Sequence, residues 1–228
     1  MRLEEAREDR RRSALDKARG LVRRIEARDR PRCHRSVALG WEEPDAALGG
    51  GLGLGMLHEI GGRAATGFAL RLLARLRGAV LWCHPASQKT ILYGPGLVQA
   101  GHGDLPDRLI IARARNGSEG CWIVEEALRS EAFAAVVLDP ADPVGLIPSR
   151  RLHLAAGRGG ALGLILREGQ GHGAVLAPGI AETRWQVDPV PSIRKAATIH
   201  PHWNLVLQRQ RGGSGDRSGG ERCWSVPA

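Results

Sequence analysis

Two glycines, Gly62 and Gly67, stand five positions apart between an apolar run and a stretch with helical periodicity. This is the arrangement of the phosphate-binding loop G-x-x-x-x-G-K-[ST], whose lysine grips the β- and γ-phosphates and whose hydroxyl binds magnesium. Here the segment reads GRAATGFA, so Phe68 and Ala69 take those two positions. Neither side chain carries a charge or a hydroxyl group. The loop therefore keeps the glycines of a phosphate site without the side chains that hold the nucleotide.

Other residues bear on the same chemistry. Arg63 lies inside the loop, but it would reach a phosphate from a different position than the missing lysine. Asp139 ends the apolar run FAAVVLD, where a magnesium-holding aspartate would stand; alternatively, it only opens the turn DPADP. The segment WCHPASQK, after the second predicted strand, contains no carboxylate to activate water. We therefore expect no ATPase activity, no bound cofactor and no metal site.

The elements around this loop alternate between strand-like and helix-like patterns. The apolar runs predict strands over 56–61, 79–83, 108–112, 133–139 and 161–167. The intervening stretches predict helices over 66–77, 95–101, 118–130 (with Ser118 as the N-cap) and 147–156. Such alternation predicts an α/β fold, a three-layer core in which a mostly parallel sheet is covered by helices.

The two ends of the chain differ from this core. Residues 3–30 read as one helix that Pro31 terminates. Beyond residue 181, strand-like patterns over 183–187, 203–207 and 222–226 have no helices between them, which predicts antiparallel strands. We therefore divide the chain into a basic N-terminal helix (1–35), an α/β core (36–180) and a C-terminal β extension with a basic, flexible tail (181–228).

The net charge of +9 is concentrated at the ends. Residues 1–35 contain 13 Arg and Lys against 7 Asp and Glu, whereas 36–208 are nearly balanced at 16 against 15. Basic segments of this kind contact nucleic acid or acidic partners, or they only solubilise the chain. The candidate contact residues are Arg10, Arg11, Arg12, Arg23, Arg24, Arg209 and Arg211.

The chain has four cysteines, none of them in a C-x-x-C pair, and its charged first residues do not resemble a secretory signal. No stretch approaches the roughly 20 apolar residues that a membrane-spanning helix needs. These features predict a cytoplasmic protein with reduced cysteines and no membrane contact.

Several motifs together resemble one known family. The stretch PDAALGGGLGLGMLHEIGGRAATGFALRLLARL resembles the start of the RecA ATPase core. The segments LYGPGLVQAG, DRLIIARARN, VEEALRSEAFAAVVLD and AETRWQVDPVPS, followed by WNLVLQRQRGG, resemble ImuA more than RecA itself. The resemblance covers roughly residues 36–228, and it implies a RecA-like core with a degenerate phosphate loop.

The resemblance implies a non-catalytic accessory role in error-prone translesion DNA synthesis during the SOS response. The implied partners are an ImuB-like inactive polymerase, an error-prone replicative-type DNA polymerase and RecA. Self-association is possible, because RecA-like cores often pack against one another, and direct contact with DNA is left open. Two alternatives also stay open: a weak nucleotide-binding RecA-like ATPase, and a cell-division inhibitor related to SulA.

Overall fold

The computed structural model describes residues 35–89, 92–167, 180–195, 198–211 and 221–228, without the side chains of 193–200. The described residues belong to one compact unit of the chain, His34–Ala228. The N-terminal helix predicted over 3–30, with its five candidate arginines, lies outside the described residues.

Strands and helices alternate through the first part of the described chain. The strands there are β1 (Ser36–Val37), β2 (Leu52–Gly53), β3 (Leu57–Gly61), β4 (Ala79–Pro85), β5 (Leu109–Ala114), β6 (Phe133–Leu138) and β7 (Leu162–Arg167). The helices are α1 (Glu42–Leu48), α2 (Ala65–Ala74), α3 (Gly94–Gln99), α4 (Gly117–Arg129) and α5 (Leu146–Gly159), with a 3-10 turn over Leu105–Arg108. Three strands follow: β8 (Thr183–Lys195), β9 (Thr198–Gln210) and β10 (Arg222–Pro227).

One large sheet organises these elements. Its strand order is β10-β9-β8-β3-β7-β6-β4-β5, and β1 and β2 form a separate small ladder. Six adjacent strands run parallel to one another, namely β8, β3, β7, β6, β4 and β5. Strand β9 pairs antiparallel with β8, and β10 pairs antiparallel with β9. The C-terminal strands therefore continue the core sheet, and the strand before the glycine loop, β3, has neighbours on both sides.

An apolar core lies against each face of the sheet, between the strands and the helices. On one face α2 packs with alternate strand residues such as Ile60, Val137 and Trp185. On the other face α4 and α5 pack with Leu57, Val136 and Ile165. Strands buried on both faces read as continuous apolar runs, which is why FAAVVL and LGLILR are the clearest strand signals in the sequence.

The observed elements correct several predicted boundaries. The N-cap of α4 is Asn116 and not Ser118, because the Asn116 side chain accepts a hydrogen bond from the amide of Glu119 at 2.9 Å. The helix therefore begins at Gly117. The sequence patterns predicted no element between residues 36 and 55, yet this stretch contains α1 and the β1–β2 ladder. The two long C-terminal strands extend well past their predicted ends. None of the helices among the described residues is both long and apolar enough to cross a membrane.

His58 is a fully buried histidine on β3. The Gly53 carbonyl lies 3.0 Å from Nε2 and can only accept, so Nε2–H donates, and Nδ1 accepts from the Thr183 hydroxyl at 2.8 Å. Thr183 in turn accepts from the Trp185 indole at 2.9 Å. Burial lowers the pKa of His58 to about 4, the charge of His153 adds to this effect, and the Gly53 carbonyl opposes it.

The buried neutral imidazole predicts a loss of stability in acid. Between about pH 6.5 and about pH 4 the unfolded chain binds a proton at His58 that the native protein does not, so stability falls as the pH falls. We expect His58 to account for a loss of about 2–3 kcal/mol between about pH 7 and about pH 4.5. Urea unfolding at both pH values measures this. His58→Gln should show a shallower pH dependence, and an unchanged pH dependence would contradict the assignment.

Candidate functional site

The glycine loop that follows β3 is held against β8. Gly62 has a φ of +98°, and a Cβ built there would lie 2.2 Å from the Val187 carbonyl oxygen. The amide of Ala64 donates to that carbonyl at 3.0 Å, and the amide of Arg63 donates to Asp188 Oδ1 at 2.9 Å. Loop amides at a helix N-terminus are the groups that bind phosphate. Here a carboxylate and a carbonyl of the same chain accept from two of them.

The close approach at Gly62 predicts a large effect of a single methyl group. Gly62→Ala should lower the free energy of unfolding by about 2–3 kcal/mol, because the Cβ meets backbone and the φ is strained. Gly101→Ala is the matched control, since Gly101 also has a positive φ (+81°) but has nothing within 4 Å of the added Cβ. The control should cost about 1 kcal/mol. Equal losses in urea unfolding would mean that the contact with Val187 is unimportant.

Phe68 stands at the centre of an aromatic cluster, which we define as Trp41, Phe68, Trp185, Trp203 and Trp224. The Phe68 ring is fully buried. Trp41 stacks on it with centroids 6.1 Å apart and an interplanar angle of 10°, and the rings of Trp185 and Trp203 lie at 6.1 and 6.3 Å. The position of a phosphate-gripping lysine is therefore occupied by a ring packed among tryptophans, and such pairs stabilise beyond their buried area.

Trp203 of β9 also covers the start of α2. Its ring atom Cζ2 lies 3.2 Å from the place where a Cβ would stand on Gly67. On the outer side of the cluster, the guanidinium of Arg71 lies 4.5 Å from the centroid of the Trp41 ring, a cation–π contact. Burial lowers the pKa of Arg71, and the charge of Arg75 lowers it further. Ala69, at the position of the missing hydroxyl, is fully buried, whereas Arg63 is exposed.

Asp139 lies at the same carboxyl end of the parallel strands as the loop, two strands away from β3. It directly follows β6, and β7 separates β6 from β3. Its side chain is largely buried, and Oδ2 accepts from the side-chain Nε2 of Gln88 at 3.3 Å. His84, at the end of the adjacent β4, is also buried and donates from Nδ1 to the Pro85 carbonyl at 2.9 Å. The carboxyl end of the sheet thus retains a carboxylate where a magnesium ligand would stand. His84 and Gln88, which lie beside it, were not predicted from the sequence.

A buried cluster of three charged side chains lies next to the loop, on the face of the sheet opposite the aromatic cluster. Glu59 of β3 accepts from Arg184 of β8 at 2.7 Å and from Arg167 of β7 at 3.2 Å. All three side chains are at most 10% exposed. The cluster joins the three neighbouring strands that carry the loop and its support.

Two of the candidate contact residues, Arg209 and Arg211, lie among the described residues, and their surroundings differ. Arg209 lies exposed on β9. Arg211 donates from Nη1 to the Ile180 carbonyl at 3.1 Å, and its backbone amide donates to the Glu182 carbonyl at 2.8 Å. Arg211 therefore fastens the start of β8, which gives it a structural role.

The sequence is similar to a curated bacterial protein. No family model matches the chain. Protein ImuA, found in two strains of Caulobacter vibrioides, is 33% identical over 186 residues, covering 72% of this chain and 74% of the relative. The chain belongs to the ImuA family. The resemblance given by the ordered motifs is thereby confirmed.

A solved structure agrees with the family assignment at the level of the fold. The crystal structure of the RadB recombinase superposes on this ImuA family member with a TM-score of 0.60 at 16% identity, covering 82% of this chain and 94% of RadB. The predicted RecA-like α/β fold, with a mostly parallel sheet and C-terminal antiparallel strands, is confirmed.

Sequence reasoning missed several residues at the loop of this ImuA family member. The missed groups are Trp41, Trp185, Trp203, Trp224, Asp188 and Glu59. One signal was available: the chain has six tryptophans but only two phenylalanines and one tyrosine. Three of those tryptophans stand in the C-terminal strands, which places them on a sheet that also carries the loop.

Proposed function

We propose that this ImuA family member is a non-catalytic, RecA-like accessory protein of error-prone translesion DNA synthesis that acts by binding protein partners. The observation that carries the proposal is the complete burial of Phe68 among tryptophans at the lysine position. A lysine at this position would have to reach a phosphate, whereas Phe68 points into the apolar core. Membership of the ImuA family supplies the biological setting.

The loop contacts support the same reading. Arg63 and Ala64 direct their amides at Asp188 and Val187, so a phosphate would have to displace a carboxylate and a strand carbonyl. A triphosphate would also meet the negative charge of Asp188 in a loop without lysine. On this proposal the RecA-like core serves as a scaffold, and it binds nucleotide too weakly to hydrolyse it.

The proposed partners are an ImuB-like inactive polymerase, an error-prone replicative-type polymerase and RecA. A tagged full-length chain, purified from cells treated with a DNA-damaging agent, tests this directly. We expect at least one polymerase-type protein or RecA to be recovered in excess over an untagged control. Recovery of none of these, with the tagged chain soluble and abundant, would contradict the proposal.

Asp139 supports a second candidate function. Its buried carboxylate stands at the strand end where a magnesium ligand belongs, which favours a weak, magnesium-dependent nucleotide site. The two candidates differ in one property, saturable binding of magnesium–ATP, and that property decides between them.

A further inference from the structure

The outer surface of α4 and α5 exposes large apolar side chains. Trp122 of α4 is 59% exposed, and Ile147 and Leu154 of α5 are 76% and 53% exposed. These helices cover the opposite face of the sheet from α2 and the aromatic cluster. Exposed large apolar groups that cluster, and do not stand singly, indicate a binding surface.

An ion pair joins the two helices that carry these three side chains. Arg151 of α5 lies 2.6 Å from Glu125 of α4. Trp122 stands one turn before Glu125, and Ile147 and Leu154 stand one turn before and one turn after Arg151. Residues three or four apart share a helix face, so all three apolar groups flank the Glu125–Arg151 pair. We call this the α4–α5 surface.

Helix α5, which carries two of the three apolar groups, is also basic. Helix α5, LIPSRRLHLAAGRG, contains three arginines and no acidic residue. Arg150 and Arg158 stand one turn before and one turn after Leu154, and both are exposed. In the part of the chain that the structure describes, neither forms an ion pair with a carboxylate. By contrast, Glu126 of α4 pairs with Arg129 at 3.1 Å. Two exposed arginines therefore border the apolar side chains of α5.

We propose that the α4–α5 surface is the docking site for an acidic amphipathic segment of a protein partner. Its apolar side chains would seat against Trp122, Ile147 and Leu154, and its carboxylates would pair with Arg150 and Arg158. Exposed tryptophan and arginine are the residue types that dominate binding energy at interfaces. The inference rests on the proposed function in one respect, since it assumes that the chain works through protein partners.

Charge and chemistry favour this occupant over others. The chain's own residues 1–35 carry 13 basic against 7 acidic residues, so they would meet like charge on α5. A second copy packing the same surface by a two-fold axis would oppose arginine with arginine. Single-stranded nucleic acid stacks its bases on aromatic rings, and two of the three apolar groups here are aliphatic.

Site-specific photocrosslinking identifies the occupant. The full-length chain carries p-benzoylphenylalanine at position 147, and cells are irradiated after DNA damage. We expect an adduct to a peptide of another protein that has more Asp and Glu than Lys and Arg and that carries apolar residues at helical spacing. The same photoreactive residue at position 93 is the control, because Tyr93 is 70% exposed on a different part of the molecule. An adduct to residues 1–34, to a second copy or to DNA, or none above the control, would overturn the proposal.

Binding of the crosslinked segment as a synthetic peptide then tests the chemistry. Fluorescence anisotropy with the purified full-length chain should show roughly tenfold to hundredfold weaker binding for Trp122→Ala and for the double variant Arg150→Glu, Arg158→Glu. The loss in the charge variant should shrink as salt rises. Unchanged affinity in both variants would overturn the docking site. Both should unfold at the wild-type urea concentration, because the replaced side chains are exposed.

The two proposals fail separately. If the crosslinked segment binds Trp122→Ala and the charge variant as tightly as the unchanged chain while polymerase-type partners still co-purify, the proposed function stands and the docking site falls. If the crosslinked acidic segment belongs to a protein unconnected with DNA synthesis, and neither a polymerase-type protein nor RecA co-purifies, the docking site stands and the proposed function falls.

Discussion

Replacing Phe68 with alanine is expected to lower the free energy of unfolding by about 3–5 kcal/mol. The ring is fully buried and contacts three tryptophans, so its removal opens a cavity that stiff indole rings cannot easily fill. Urea unfolding followed by tryptophan fluorescence measures the loss. Phe68→Leu is the matched control, because it keeps an apolar side chain, and it should cost about 1–2 kcal/mol.

The same position tests whether the loop can be repaired. Phe68→Lys combined with Ala69→Thr rebuilds the phosphate-loop sequence, but it places an ammonium group inside the aromatic cluster. Burial of an unpaired charge is strongly unfavourable, so we expect this variant to be at least as unstable as Phe68→Ala. A stable double variant that binds ATP would mean that the cluster is not the barrier.

Replacing Glu59 with glutamine is expected to cost about 3–5 kcal/mol, the usual penalty for removing one partner of a buried ion pair. Arg167 and Arg184 share this carboxylate, and both are about 10% exposed. Glutamine keeps the shape and removes the charge, so the loss measures the electrostatic contribution to the stability of β3, β7 and β8.

A surface pair is the control for this prediction. Asp104, which is 76% exposed, pairs with Arg108 at 3.2 Å. Asp104→Asn should change the free energy of unfolding by less than about 1 kcal/mol. If Glu59→Gln costs as little as Asp104→Asn in urea unfolding, the Glu59 cluster contributes nothing beyond packing.

Local patterns in the sequence predicted the core of the fold well. Continuous apolar runs mark the parallel strands, and apolar residues at helical spacing mark α2. These patterns can be read locally, because each element's own residues determine which of its faces is buried. The predicted N-cap of α4 was wrong by two residues, since Ser118 and Asn116 are both good caps and only the geometry selects Asn116. Helix α1 was missed because its seven residues lack a periodic apolar stripe.

The site itself depends on contacts that no local pattern contains. Trp41 and Trp203 are 162 positions apart, yet their rings lie 6.3 Å apart at Phe68. The contact between Asp188 and the Arg63 amide likewise requires β8 to pair beside β3. The sequence predicted that the phosphate-binding side chains were missing. It could not predict that tryptophans from distant elements surround their replacement.

Titration of the full-length chain with magnesium–ATP tests the central claim most directly, namely that the aromatic cluster and the Asp188 contact have replaced the nucleotide site. Isothermal titration calorimetry and the thermal unfolding midpoint provide independent readouts, because a ligand that binds only the folded state raises that midpoint. The account predicts no saturable heat and no rise in the midpoint at millimolar ATP. Saturable, magnesium-dependent binding that Asp139→Ala abolishes would contradict it.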